Sequence, residues 1–204
     1  MLYKFFRPIV RFIVWILNGH LHIHHKERIP DGTYILVAPH RTWWEPILFA
    51  LGASPDEFMF MAKQELFKNP VLRWILDNSH AFPVNREHPG PSVLKIPIKG
   101  LKSQNLSLIM FPSGTRHSSE LKNGALVIAR MSGKPLVPVV YQGPLSFKDL
   151  LKRKSLDVNF GNQIFINKKP RLTPDIELKY NQELEKAWKE LDNELNPSFH
   201  YEAK

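Results

Sequence analysis

The feature that most constrains this chain is an alternation: apolar runs rich in β-formers at residues 34–38, 58–62, 81–84, 107–111 and 136–141, separated by helical stretches at 46–51, 70–77, 92–103 and 121–131. Apolar runs this short are strand-length, and strands that alternate with helices are joined by crossovers, which makes neighbouring strands parallel. The predicted fold class is therefore α/β, a mostly parallel central sheet with helices on both faces. In such sheets the loops leaving the strand C-termini gather at one edge, where ligands bind. Pro97 falls inside the third helical stretch and is expected to bend or split it.

Around this core lie three further segments. Residues 20–25 alternate polar and apolar as a half-exposed strand does, with His20, His22 and His24 on one face. Neighbouring carboxylates are lacking in the sequence, so exposed strand histidines rather than a metal site are expected there. Residues 156–166 read as an outer strand or hairpin turning at Phe160-Gly161-Asn162, and residues 180–195 carry Leu184, Trp188, Leu191 and Leu195 at the spacing of a docked amphipathic helix. The organisation predicted is an N-terminal amphipathic segment, residues 1–19, followed by one α/β domain, residues 20–204.

Residues 2–17 are apolar but for Lys4, Arg7 and Arg11, which recur at helical spacing and leave Phe5, Phe6, Ile9, Phe12, Ile13 and Ile16 for the other faces. The run is shorter than the ~20 residues a crossing helix needs, and its cations disfavour crossing further. It is expected to lie in a membrane interface, apolar face among acyl chains and cations among headgroups. Two other readings stand: a secretory signal, although no small-residue cleavage site follows, and a helix docked on the core, because amphipathic patterning does not tell lipid from protein.

With 28 Lys+Arg against 19 Asp+Glu the formal charge is +9, which favours an anionic partner: nucleic acid, an anionic membrane or a phosphorylated substrate. No nucleic-acid motif accompanies the charge, and the aromatics are not interleaved with a basic stripe. The chain has no cysteine, which removes disulfides, Cys-based zinc and a thiol nucleophile, and suits a cytoplasmic location. There is no P-loop, dinucleotide fingerprint or H-E-x-x-H, so no nucleotide or metal cofactor is expected.

The residues with chemistry fall at the predicted strand ends. Ala38-Pro39-His40-Arg41-Thr42-Trp43-Trp44-Glu45-Pro46 puts an imidazole on a loop and a carboxylate in the first turn of the next helix. A carboxylate on one ring nitrogen fixes the tautomer and frees the other to accept a proton from an alcohol. Thr42-x-x-Glu45 equally matches a capping box, in which Glu45 bonds the Thr42 amide, and both readings stand at this point. Later strands end in Phe82-Pro83-Val84-Asn85-Arg86 and Phe111-Pro112-Ser113-Gly114-Thr115-Arg116. Guanidinium forks match phosphate oxygens, so Arg86 and Arg116 converging with Lys63 would make a phosphate pocket, and the 113–115 turn could present backbone N–H groups to an anion. Taken singly, each of these cations also reads as a solvated surface charge, and the 113–115 turn as a plain tight turn.

These blocks resemble those of the glycerolphosphate and lysophosphatidate acyltransferases, in particular the bacterial 1-acyl-glycerol-3-phosphate acyltransferases. The family order of His-x4-Asp, Phe/Ile-Pro-Val-x-Arg, Phe-Pro-Glu-Gly-Thr-Arg and a Val-Pro-Val strand is matched by His40 with Glu45, residues 82–86, residues 111–116 and Val137-Pro138-Val139. Lys63-Gln64-Glu65-Leu66 and Lys122-x-Gly124-Ala125 resemble two further family segments. The resemblance implies that His40 is the general base acting with Glu45, and that Lys63, Arg86, Ser113, Gly114, Thr115 and Arg116 surround the acceptor phosphate. It also implies an N-terminal element that docks on the bilayer. Glutamate at position 45 replaces the family's aspartate, and Ser113 stands where the family has glutamate.

The activity so implied is transfer of an acyl group from an acyl thioester, carried by acyl carrier protein or coenzyme A, to the sn-2 hydroxyl of 1-acyl-glycerol-3-phosphate at the cytoplasmic face of a membrane. No G-x-S-x-G elbow or cysteine is present, so transfer is expected to be direct. The basic stretches at 148–154 and 168–169 are candidate contacts for either anionic donor. Alternative acceptors are glycerol-3-phosphate and other lysophospholipids, and a non-catalytic protein that binds anionic lipid is the remaining alternative.

Overall fold

Residues 34–38 are five consecutive buried positions, so this strand has no solvated face and must lie inside a sheet covered on both sides. The computed structural model describes residues 2–85, 88–113 and 121–201. In chain order the elements are α1 (Tyr3–Asn18), β1 (Leu21–His24), β2 (Ile35–Val37), α2 (Glu45–Gly52), β3 (Phe58–Lys63), α3 (Pro70–Asn78), β4 (Ala81–Val84), α4 (Ser92–Ser103), β5 (Ser107–Met110), α5 (Gly124–Ser132), β6 (Leu136–Gln142), α6 (Phe147–Leu150), β7 (Leu156–Phe160) and α7 (Pro174–Leu195). The strands fall where the apolar runs predicted them. They form one sheet in the order β1-β7-β6-β2-β5-β3-β4. Every pairing is parallel except β6 with β7.

Side-chain alternation along the strands divides the core into two layers. Ile35 and Val37 join Leu108, Leu126, Ile128, Leu184, Trp188 and Leu191 on the face covered by α4, α5 and α7. Tyr34, Leu36 and Ala38 join Leu48, Phe49, Val137, Val139 and Phe160 on the face covered by α2. Helices thus cover both faces, as predicted.

Three local expectations come out differently. α4 runs through Pro97 without splitting: Pro97 is buried, and three residues on Gly100 lets the helix close on β3, where a Cβ would meet Met59 Sδ at 2.2 Å. α7 starts at Pro174, well before the predicted boundary at Tyr180. In α1 the cations turn toward the protein: Arg7 donates to the Ser54 hydroxyl (3.2 Å) and to the carbonyls of Pro55 (2.8 Å) and Asp56 (2.6 Å), and Arg11 to that of Leu51 (3.3 Å). The C-terminal end of α2 and the turn beyond it present carbonyls to α1, and the guanidiniums donate to them. The expected placement of these two arginines among headgroups therefore gives way to an intramolecular one, and Phe5, Ile9, Phe12, Ile13 and Ile16 face outward.

Candidate active site

β2 and β5 lie side by side, Val37 opposite Met110, and their exits diverge. The chain leaving β2 crosses by α2 to β3 on one side, and the chain leaving β5 crosses by α5 to β6 on the other. Sheets of this kind bind ligands where neighbouring strands diverge in this way, at the strand C-termini. His40 stands three residues past β2, and Phe111 begins the exit from β5.

The loop after β2 folds back so that Glu45, opening α2, is fully buried beneath it. One carboxylate oxygen, Oε2, receives the backbone N–H of Arg41 (2.8 Å) and of Thr42 (2.9 Å) and lies 3.2 Å from His40 Nδ1. The Thr42 amide bond and the imidazole contact are therefore both present, on the same atom, but not as a capping box: α2 begins at Glu45 with Trp44 at its N-cap, and the Thr42 hydroxyl makes no cap bond. Two amides fix the oxygen, and the oxygen fixes the ring. With Nδ1–H donating to the carboxylate, Nε2 keeps its lone pair. The ring also stacks on Phe111 at 4.1 Å between centroids, and its side chain is 12% exposed. The extra methylene of glutamate does not prevent the contact.

The site has a brace that sequence reasoning missed. Arg41, between the dyad residues, is buried and sends both terminal nitrogens to the carboxylate of Asp192 on α7, while Nη1 also donates to the Tyr141 carbonyl (2.6 Å). Gln142 donates to the same Asp192 carboxylate (3.0 Å), and Trp188 Nε1 donates to the carbonyl of Val37 (3.0 Å), the last residue of β2. α7 thus grips both sides of the loop that carries His40. A signal for this existed: Asp192 lies four residues after Trp188 and next to Leu191, inside the apolar stripe of α7, where an unpaired carboxylate would be costly. On the other side Trp44 Nε1 donates to the Tyr141 hydroxyl (3.4 Å). Burial pushes the Tyr141 phenol well above its ordinary pKa, so it stays protonated and donates to the Pro144 carbonyl (2.9 Å).

Of the proposed phosphate ligands, Lys63 ends β3 at the same sheet edge, two strands from β2 and thus about 10 Å along it. Its ammonium is exposed and lies 3.7 Å from Glu65. Ser113 is buried in the turn after β5, whose closure is marked by the Lys122 amide donating to the Pro112 carbonyl (2.9 Å). Arg86, Gly114, Thr115 and Arg116 lie outside the described residues.

Two features lie apart from this corner. His24 meets Asp157 of β7 at 2.9 Å, a carboxylate brought in by strand pairing rather than by sequence proximity. Among the described residues no cluster of His, Asp and Glu is arranged to hold a metal. A cavity of about 540 Å³ lined by His24, Gln142, Asp157 and Phe199 includes neither His40 nor Glu45. The chemistry of the dyad, not the size of that hollow, marks the site.

The Acyltransferase sequence profile matches residues 20–142, and this chain belongs to that family. It is an acyltransferase enzyme. It is 42% identical to the 1-acyl-sn-glycerol-3-phosphate acyltransferase of Streptococcus pneumoniae, over 97% of this chain and 78% of that protein. It is 39% identical to the enzyme of the same name from Bacillus subtilis, over 96% and 99%. In fold it is similar to the crystal structure of the 1-acyl-sn-glycerophosphate (LPA) acyltransferase of Thermotoga maritima, with a TM-score of 0.70 over 98% of this chain and 81% of that one at 22% identity.

Proposed function

We propose that this enzyme transfers a fatty acyl group from an acyl thioester to the sn-2 hydroxyl of 1-acyl-glycerol-3-phosphate, giving phosphatidic acid. The observation that carries the reading is Glu45 Oε2 held by two backbone amides beneath His40 Nδ1, which leaves Nε2 as proton acceptor. The Bacillus subtilis relative, of nearly the same length, and the longer Streptococcus pneumoniae relative both carry that activity in their names. Nε2 takes the hydroxyl proton as the oxygen attacks the thioester carbonyl. The tetrahedral intermediate then expels the thiolate, which recovers the proton from the imidazolium, so alcohol and thioester become ester and thiol with no further reactant. Lys63, Arg86, Ser113, Gly114, Thr115 and Arg116 receive the acceptor phosphate, where charge and fork geometry serve. The donor is a thioester of acyl carrier protein or coenzyme A. The enzyme works on the cytoplasmic face of the membrane, held by the outward apolar side of α1. No helix among the described residues is long and apolar enough to cross a bilayer.

Thiol release, measured with 1-acyl-glycerol-3-phosphate, glycerol-3-phosphate and a lysophospholipid of larger headgroup, tests the acceptor. In that assay His40→Ala lowers turnover by ~10² to 10⁴ while vesicle binding is kept, the usual contribution of a positioned base. Near-parental turnover by the purified variant removes His40 from the chemistry. Glu45→Gln keeps the shape and loses the charge, so its turnover falls less than that of His40→Ala. Parental turnover there would leave Glu45 only its hold on the Arg41 and Thr42 amides.

A further inference from the structure

α3 is a helix made by its ends rather than by its packing. Asn69 caps it, its side chain accepting the amides of Val71 (3.0 Å) and Leu72 (3.1 Å), Pro70 follows the cap, and Asn78 closes the last turn on the Trp74 carbonyl (2.7 Å). None of its nine residues is buried. Yet its sequence is not that of a solvated helix: Val71 is 66% exposed, Trp74 54%, and Leu72 and Ile75 are exposed beside them.

This apolar face is not isolated. The Trp74 ring meets the half-buried Phe6 of α1 edge-on at 5.9 Å, and exposed Phe5 lies beside Phe6, so the face of α3 borders the outward face of α1, whose arginines are folded inward onto carbonyls. Exposed Lys63, Lys68 and Arg73 edge the α3 end of this surface against Glu65 and Asp77, three cations to two acids, and exposed Lys4 stands at the start of α1, 3.6 Å from Glu57. A broad apolar strip rimmed with net positive charge complements an anionic phospholipid leaflet. Its position suits that occupant too, because the turn leading into α3 leaves the C-terminal end of β3, the edge that carries His40.

We propose that α3 is a second membrane contact, inserted with α1 into one anionic leaflet, and that the two together set the tilt at which the catalytic edge meets lipid headgroups. The inference rests on the reading above that the acceptor is drawn from a membrane. With one helix the molecule is free to roll about that helix; a second contact beside it fixes the roll.

The chain has no cysteine, so one introduced thiol can be labelled uniquely. Val71→Cys and, separately, Phe12→Cys are labelled with an environment-sensitive fluorophore and mixed with phosphatidylglycerol vesicles containing acyl-chain nitroxide lipid. Quenching at both positions is the expected result. Quenching at position 12 alone shows that α1 docks by itself, which overturns this proposal and leaves the docking of α1 standing. Quenching at neither position overturns both. A label at position 71 shielded without vesicles, in step with dimer formation at rising concentration, identifies a second copy as the occupant and also overturns it. As a functional check, Val71→Asp/Leu72→Asp, which alters only exposed side chains, weakens vesicle partitioning on the order of tenfold. Its turnover on a short-chain monomeric acceptor stays parental, and unaltered partitioning would refute the proposal.

Discussion

α1 and α7 are both long amphipathic helices at the ends of the chain, and they present opposite faces to the same sheet. α7 buries its apolar stripe, Leu184, Trp188 and Leu191, against the strands and leaves its charges in water. α1 directs Arg7 and Arg11 to the protein and leaves Phe5, Phe12 and Ile16 outside. The difference lies in what each finds on the sheet. α7 meets the open apolar face of β2 and β6, where burial of side chains is the driving term. α1 meets α2, which already covers its face of the sheet: Tyr3 and Val14 turn apolar groups inward, and its arginines reach the carbonyls of Leu51, Pro55 and Asp56. Periodicity states how a helix is divided, and the surface it lands on decides which half is inside.

If that contrast is right, α7 is part of the fold and of the catalytic corner. Trp188→Ala removes a buried indole and its bond to the Val37 carbonyl, and the loss expected is about 3–5 kcal/mol. Equilibrium urea unfolding reads this as a lower midpoint, and a change under about 1 kcal/mol would put α7 outside the cooperative unit. Asp192→Asn is gentler, since an amide still accepts from Arg41. It weakens a charge-assisted pair with both partners largely out of water, and about 1.5–3 kcal/mol is expected. Because the Arg41 amide also holds Glu45, this variant lowers turnover beyond what its unfolded fraction explains, seen by assaying well below its melting temperature. Parental turnover per folded molecule would reduce the brace to stability alone.

The strands were legible because their apolar runs are short, β-rich and punctuated, and the dyad because His40 and Glu45 are close enough in sequence for one turn to join them. What escaped was long-range. Nothing local tells that residues 21–24 pair with 156–159, or that Asp157 thereby reaches His24. The pairing of Arg41 with Asp192 spans 151 residues. It could be suspected from a carboxylate in an apolar stripe, but its partner could not be chosen among the cations. The two readings of Glu45 were offered as rivals because each needed the carboxylate. One oxygen takes the Arg41 and Thr42 amides at 2.8 and 2.9 Å and the imidazole at 3.2 Å, while the capping box itself does not form, because α2 starts at Glu45 rather than three residues before it. Pro97 failed as a breaker because propensity is a local term and the buried contact around Gly100 and Met59 outweighs it.

The smallest effect expected is on the other side of the comparison. Phe12 of α1 is exposed and touches chiefly Trp15 of the same helix, with ring centroids 5.9 Å apart. Phe12→Ser in lipid-free protein therefore changes unfolding free energy by no more than about 0.5 kcal/mol, as surface substitutions do. Set beside Trp188→Ala, the same class of change, an aromatic removed from an amphipathic helix, differs by several-fold because one ring is buried against the sheet and the other is exposed. Cosedimentation with anionic vesicles supplies the missing half: there Phe12→Ser weakens partitioning, since the ring it removes would leave water only in lipid. A stability loss above about 1.5 kcal/mol without lipid would mean that protein already covers this face of α1, and the contrast between the two helices would have to be abandoned.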